Sequence, residues 1–392
     1  MRLGLIVLIV GYGLSQFYRA FLAVFSGVLS SDIGVTPESL STALGTWFVI
    51  FALMQIPVGE ALDRIGPRIT TSVLLGVAAG GGAIVFSFAS APWHVNLAMA
   101  LIGIGCSPVL MASYFIFARV FPPAMFATLA GATLGFGSLG NNASSAPTAW
   151  AVEVIGWRET MLIVGVLTFV VAIVLFFTIK DPEKVETAHR GSLLDLLKMP
   201  VLWPIFVMVA VNYIPAAGIR GLWSGPYAAS VLGADTATIG NITLVMGLAM
   251  IAGNFAYGPM DRLFGTRKWV IWGGNLIGMF GLIGLALFPA SGIVAATVML
   301  AIVGFFGASF PMIVAHARGF FPPHLTGRGV TLVNLFSIGS VGLSQFATRP
   351  LFESFQASTS SPAEAYSLLF WCFAGLIGFG LVIYLFAKDR TD

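Results

Sequence analysis

Runs of about 20 apolar residues, the length that crosses a bilayer core as a helix, recur along the whole chain. They predict twelve helical spans near residues 4–30, 40–61, 69–90, 95–118, 125–151, 158–180, 201–230, 237–259, 268–288, 293–316, 328–349 and 366–387. The polar stretches between them are short except for one, Lys180 to Pro200, which holds Asp181-Pro182-Glu183-Lys184 and an amphipathic segment from Ser192 to Leu197. It divides the spans six and six, predicting an N-terminal bundle over 1–180, a cytoplasmic linker over 181–200 and a C-terminal bundle over 201–392. The first run is longer than a secretory signal, carries Arg19 and is followed by equivalent runs, so we read it as a retained first helix.

Composition turns this pattern into a fold class. Hydrophobic residues make up 58% of the 392 positions and charged residues 9%, against about 25% charge in a soluble domain. Mean hydropathy is +0.95. The expected class is an all-α membrane protein of twelve transmembrane helices in two pseudo-symmetric six-helix bundles. The 46 glycines fit that class because small residues let helices approach closely in lipid. Numbering the gaps alternately places fifteen of the nineteen Lys and Arg residues on one side and only Arg158 and Arg349 on the other. Positive charge concentrates on the cytoplasmic face, which predicts a multi-pass protein of the cell inner membrane with both termini in the cytoplasm. Arg19 and Arg220 lie inside spans one and seven.

The halves echo each other. Asp63-Arg64-Ile65-Gly66-Pro67-Arg68 is answered by Asp261-Arg262-Leu263-Phe264-Gly265-Thr266-Arg267, the stretch Ala118 to Pro123 by Ala317 to Pro323, and Arg19 by Arg220. A tandem repeat of six spans predicts two bundles related by an axis along the membrane normal, as in alternating-access carriers.

The segment Gly59-Glu60-Ala61-Leu62-Asp63-Arg64-Ile65-Gly66-Pro67-Arg68 resembles the signature between helices two and three of the major facilitator superfamily, with Pro67 at the first basic position. The resemblance covers the whole chain. It implies a secondary transporter with a cytoplasmic lock formed by Gly59, Asp63, Arg64, Gly66 and Arg68, mirrored by Asp261 and Arg262. Two family patterns are missing. Met99 stands where many proton-coupled members carry an arginine, and helix five offers Gly140-Asn141-Asn142-Ala143-Ser144-Ser145-Ala146-Pro147 in place of a glycine-proline pair. Both absences disfavour a proton-driven multidrug exporter. Phe17-Tyr18-Arg19 and the stretch Arg220 to Tyr227 look like the phosphate-clamping positions of the organophosphate:phosphate antiporter branch.

The arginines also speak for themselves. A charge deep in a bilayer costs several kcal/mol and normally marks a functional site. At 1.5 Å rise per residue, Arg19 and Arg220 lie about 15 Å from the outer ends of their spans, too deep for a side chain to snorkel. All sixteen acids fall in loops or near span ends, which leaves no evident buried counter-charge. A guanidinium fork matches carboxylate or phosphate oxygens two at a time, so the pair is expected to meet as an anion clamp. Tyr12 and Gln16 share the helical face of Arg19, with Tyr18 beside it in sequence. Trp223 and Tyr227 follow Arg220 at helical spacing, beside breaks at Pro215, Gly218 and Gly221. Asn141 and Ser145 on helix five, with Asn334 and Gln345 on helix eleven, complete the expected polar lining.

Other patterns are discounted. Gly135-Phe136-Gly137-Ser138-Leu139-Gly140 matches a dinucleotide fingerprint but lies inside a span with no preceding strand. Ser309 and His316 are too far apart on one helix for a dyad, and the four histidines lack metal spacing. The sequence therefore predicts a non-enzymatic carrier without cofactor or metal. Its expected partners are a small anionic substrate, a proton or counter-anion and the lipid bilayer. A proton, if used, would ride on the substrate or on His316. The alternatives are a proton-coupled carrier of a neutral or zwitterionic solute such as a peptide or sugar, an intramembrane enzyme, and a non-transporting receptor.

Overall fold

Prolines and polar caps mark where the helices begin. Pro67, Pro92 and Pro123 each open a helix at its first position, where the missing N–H costs nothing. Asp235 accepts from the Thr238 N–H at the head of Thr236–Phe264, and Ser361 from the Glu364 N–H at the head of Pro362–Tyr384. The computed structural model describes residues 2–35, 37–183 and 192–391. The part of the predicted linker over 184–191, with Lys184, Glu186 and Arg190, lies outside the described residues.

Eleven helices among the described residues are long and apolar enough to cross a membrane. The fifth predicted span is helical as well, but as two pieces, Pro123–Ala143 and Ala146–Ile155. Its polar segment keeps it out of the apolar set. The break has a local cause: Pro147 has no N–H for the Ala143 carbonyl, and the Thr148 hydroxyl takes that carbonyl instead at 2.7 Å. Span one divides at Phe21 into Arg2–Ala20 and Leu22–Ile33. Span ten divides into Ile293–Phe306 and Phe310–Arg318. Span seven is the most interrupted, running as Trp203–Asn212, Ile214–Gly218, a π-helical turn Ile219–Trp223 and Ser224–Leu232. Span three carries a π-helical stretch, Leu74–Gly80.

The helices gather into two compact units. One comprises Met1–Pro122, Thr133–Leu193 and Pro322–Leu335, the other Pro123–Ala132, Leu194–Phe321 and Phe336–Asp392. The start of span five thus belongs with the second unit and the start of span eleven with the first. Within the first unit, span two packs on four, three on four and six, and one on six. Within the second, span eight packs on ten, nine on ten and twelve, and seven on twelve. The pairing order is the same in both, as expected of a tandem repeat.

Small residues carry these contacts. Any Cβ at Gly105 would strike the Ala79 backbone, and one at Gly103 would lie 2.9 Å from the Trp47 carbonyl oxygen. In the second unit, a Cβ at Gly253 would strike the Phe305 carbonyl, and one at Gly304 would sit 2.9 Å from that of Met246. Lipid supplies no hydrophobic drive between helices, so close van der Waals contact through such positions holds each bundle together.

Candidate functional site

Arg19 ends the helix Arg2–Ala20 but for one residue, and its Cζ lies 5.1 Å from the centroid of the Phe48 ring in span two. It is half-buried. On the same helix, Gln16 Nε2 donates to the Tyr12 hydroxyl at 2.7 Å, the neighbourhood that helical spacing predicts. Span five closes on this face through glycine: a Cβ at Gly137 would strike the Tyr12 ring, and one at Gly140 the Gly13 carbonyl. Gly137 and Gly140 of the fingerprint-like run are thus packing residues. Tyr18 departs from the expected lining. It is fully buried, its hydroxyl pairs with Thr168 Oγ1 of span six at 2.8 Å, and its ring packs edge-on against Phe17 and Phe21. Neighbouring residues on a helix point about 100° apart, so Tyr18 faces the bundle interior while Arg19 does not.

Arg220 sits in the π-helical turn of span seven, a feature common at functional positions. Gly247 of span eight lies against its guanidinium: a Cβ there would be 3.0 Å from Nη2, 3.2 Å from Nε and 3.3 Å from Cζ. Trp223 packs on Phe352 with ring centroids 4.6 Å apart, and its buried Nε1 has no hydrogen-bond partner among the described residues. Tyr227 is also drawn away from the expected lining. Its hydroxyl donates to the Pro289 carbonyl at 2.6 Å and its ring meets Tyr366 and Phe370. On span five, Ser145 is exposed and donates to the Asn142 carbonyl, while Asn141 is half-buried and its carbonyl accepts from Ser144. Asn334 is buried and belongs to the first unit, and Gln345 is half-buried and belongs to the second.

The ion pairs among the described residues are Glu60–Arg64, Asp32–Arg158, Asp261–Arg267, Asp63–Arg328 and Arg349–Glu353. Among these residues no carboxylate lies within ion-pair distance of Arg19 or Arg220. Neutralisation by a buried acid, the ordinary structural explanation for such arginines, is not seen among the described residues.

The signature loop forms a defined contact in the first unit. Asp63 accepts from the backbone N–H groups of Gly327 at 2.8 Å and Arg328 at 3.1 Å, with Arg328 Nε 3.8 Å away. These N–H groups open the helix Thr326–Ser358, where unpaired donors and the helix dipole favour an anion. Gly59 makes the approach possible, since its Cβ would strike Thr331 and lie 3.0 Å from the Arg328 Cα. Gly66, at φ +109°, turns the chain so that Asp181 Oδ1 reaches the Arg68 N–H at 2.9 Å. Arg64 and Arg68 do not join Asp63. Arg64 pairs with exposed Glu60, and Arg68 lies over the Phe176 ring.

The mirror loop is wired differently. Asp261 pairs with Arg267, both almost fully buried, and Arg267 also donates to the carbonyls of Pro123, Ala315 and Arg390. Arg262 instead donates to Thr128 at 2.9 Å. The sequence pattern assigns the mirrored lock to Asp261 and Arg262 and misses Arg267, although it is the final basic residue of the repeated motif. It misses Phe48 and Gly247 too, because neither stands out in an apolar run.

His316 is held on both sides of its ring. It is buried, with Nδ1 2.6 Å from the Tyr384 hydroxyl and Nε2 2.8 Å from the Lys388 carbonyl. Both ring nitrogens are thereby engaged. Ser309 accepts instead from Asn212 at 2.9 Å and Asn275 at 3.0 Å, a polar knot joining spans seven, nine and ten.

Comparison with known proteins agrees with this architecture. The sequence profile of the Major Facilitator Superfamily matches residues 8–222. The chain is 25% identical over 188 residues to the probable sulfoacetate transporter SauU of Cupriavidus necator, a match spanning 47% of this chain and 42% of that protein. It is 24% identical over 388 residues to the membrane sensor protein UhpC of Salmonella typhimurium, spanning 89% and 85%. With a hexuronate transporter of Bacillus subtilis it shares 22% identity over 212 residues, spanning 50% and 49%. The matched region thus covers under half the length of two of these relatives. Among solved structures, the proton:xylose symporter XylE superposes with a TM-score of 0.75 at 14% identity, covering 99% of this chain and 96% of that one. The Escherichia coli fucose:proton symporter FucP gives 0.73 at 15%, covering 99% and 100%. At such identity the likeness speaks for the fold alone. With its repeated six-span units, its Asp63 signature loop and a profile match over more than half its length, this multi-pass membrane protein belongs to the Major Facilitator Superfamily.

Proposed function

We propose that the protein is a secondary transporter of a small organic anion, a carboxylate or organophosphate, working by alternating access in the cell inner membrane with both termini in the cytoplasm. Arg19 and Arg220 bind the anion, and Asp63, through its bonds to the first turn of span eleven, stabilises one of the two access states. One observation carries this reading: two arginines lie within membrane spans, and among the described residues neither has a carboxylate in ion-pair range. Such a charge is costly unless a ligand neutralises it. The relatives named for sulfoacetate and hexuronate support the same chemistry, since both compounds carry a carboxylate.

The test is uptake into proteoliposomes of labelled glucuronate, sulfoacetate and glycerol phosphate, with xylose as a neutral control. Saturable uptake of an anion that is lost in Arg19→Gln and Arg220→Gln supports the proposal. Uptake of xylose alone, or anion uptake indifferent to both substitutions, contradicts it. A second reading, a receptor that binds an anion without moving it, is favoured by the length of the match to the sensor UhpC. Anion-dependent thermal stabilisation without flux would select it.

A further inference from the structure

We infer that Phe48 and Gly247 are the positioning residues of the two arginines, each fixing one guanidinium from the neighbouring helix of its own bundle. The inference rests on the reading of Arg19 and Arg220 as anion-binding groups. Phe48 stands 15 positions before Asp63 on span two and Gly247 14 positions before Asp261 on span eight, so the two lie within one residue of corresponding places in the internal repeat. Phe48 presents its ring to Arg19, with Cζ 5.1 Å from the centroid, in the range of cation–π attraction. Gly247 presents bare backbone. Its missing Cβ would point at Nη2, Nε and Cζ of Arg220 at 3.0, 3.2 and 3.3 Å, so a side chain at this position would meet the guanidinium directly.

The two solutions differ in chemistry and agree in effect. Each lies against one guanidinium and limits the positions open to it. An arginine held in this way loses less rotamer freedom on binding, and pre-organisation of this kind acts on affinity. The turnover step is not expected to depend on it.

Gly247 is the sharper case. An alanine there needs the guanidinium to yield by a few tenths of an ångström, whereas a leucine occupies its resting place. Gly247→Leu should raise the KM for a transported anion by ~2–12-fold, the range that freeing one long side chain implies, with kcat little changed. Gly247→Ala should stay nearer to wild type. Phe48→Leu should raise KM by ~2–5-fold through loss of the ring, and Phe48→Tyr should restore it.

Two readouts separate this inference from the reading beneath it. The first is phenylglyoxal labelling of Arg19 and Arg220 in the purified full chain, quantified by peptide mass spectrometry, which needs no substrate. The second is KM and kcat for labelled glucuronate or sulfoacetate in proteoliposomes. Faster labelling of Arg220 in Gly247→Leu, faster labelling of Arg19 in Phe48→Leu and a raised KM are the expected results. Unchanged labelling of Arg220 in Gly247→Leu and of Arg19 in Phe48→Leu overturns the positioning role, whatever is transported. Changed labelling with an unchanged KM overturns instead the assignment of these arginines to anion binding. Should Gly247→Leu fail to yield folded protein, Phe48→Leu paired with Phe48→Tyr decides the inference by the same two readouts.

Discussion

Arg19 and Arg220 are conspicuous because lipid offers a guanidinium nothing to pair with, and because no described carboxylate does so. Removing either charge should cost the differential binding of a desolvated ion pair, about 2–5 kcal/mol. Arg19→Gln and Arg220→Gln are therefore expected to lower anion uptake by at least ~30-fold with unchanged membrane insertion. Arg→Lys should impair uptake too, since a point charge cannot form two parallel hydrogen bonds. Asp63 works elsewhere. Its bonds to the Gly327 and Arg328 N–H groups join two helix ends, so Asp63→Asn should shift the balance of access states and leave KM for the anion nearly constant. Cysteine-accessibility labelling from each membrane face would register that shift, and an unchanged pattern would remove Asp63 from gating. These three residues were legible in the sequence as charges where charge is costly or in a recognisable loop. Phe48 and Gly247 were not, because their meaning lies in which side chain a neighbouring helix brings against them. Tyr18 and Tyr227 depart from the expected lining for the same reason: spacing gives a face but not the partner that claims the hydroxyl.

At the scale of elements, apolar length located the spans and left their interruptions to local chemistry. Pro147 explains the break in span five, and the breaks foreseen around Pro215 and Gly221 lie beside an interrupted helix and a π-helical turn. Gly140 is where spans one and five close. A larger residue there meets the Gly13 carbonyl, so Gly140→Leu should destabilise the fold by about 1–3 kcal/mol, seen as a lower Tm in detergent. The tail after Pro362–Tyr384 was less legible, since a short polar end carries no periodicity. Asp389 there accepts from Thr266 and from the N–H groups of Arg267 and Lys268, capping the helix Lys268–Leu287. Partial burial pushes the Asp389 carboxyl up, but the Thr266 hydroxyl and these N–H groups outweigh it and hold it below the ordinary carboxylate range. A carboxyl depressed in the folded state stabilises above its unfolded pKa, and that contribution fades as pH falls through the folded value. Hydrogen exchange at 385–390, expressed as protection relative to the intrinsic rate at each pH, should thus be strong at neutral pH and fall in acid below about pH 4. Asp389→Asn should exchange faster already at neutral pH.

For the whole molecule, the sequence revealed six-span repetition because each half carries the same landmarks in order, and each unit shows the same helix pairings. What it could not reveal is that spans five and eleven each divide between units, which depends on packing and not on hydropathy. On the proposed function, Arg19 and Arg220, which have no carboxylate in ion-pair range among the described residues, carry charge that a bound anion neutralises, so movement without an anion is costly. Exchange of one anion for another should therefore outrun net movement. The direct measurement is counterflow: proteoliposomes preloaded with unlabelled anion are compared with empty ones for uptake of the same labelled anion, glucuronate or sulfoacetate, at zero and at an imposed pH gradient. Several-fold faster uptake into preloaded vesicles, with little response to the gradient, is the predicted result. Equal uptake into empty and preloaded vesicles, strongly accelerated by an inward proton gradient, would contradict it.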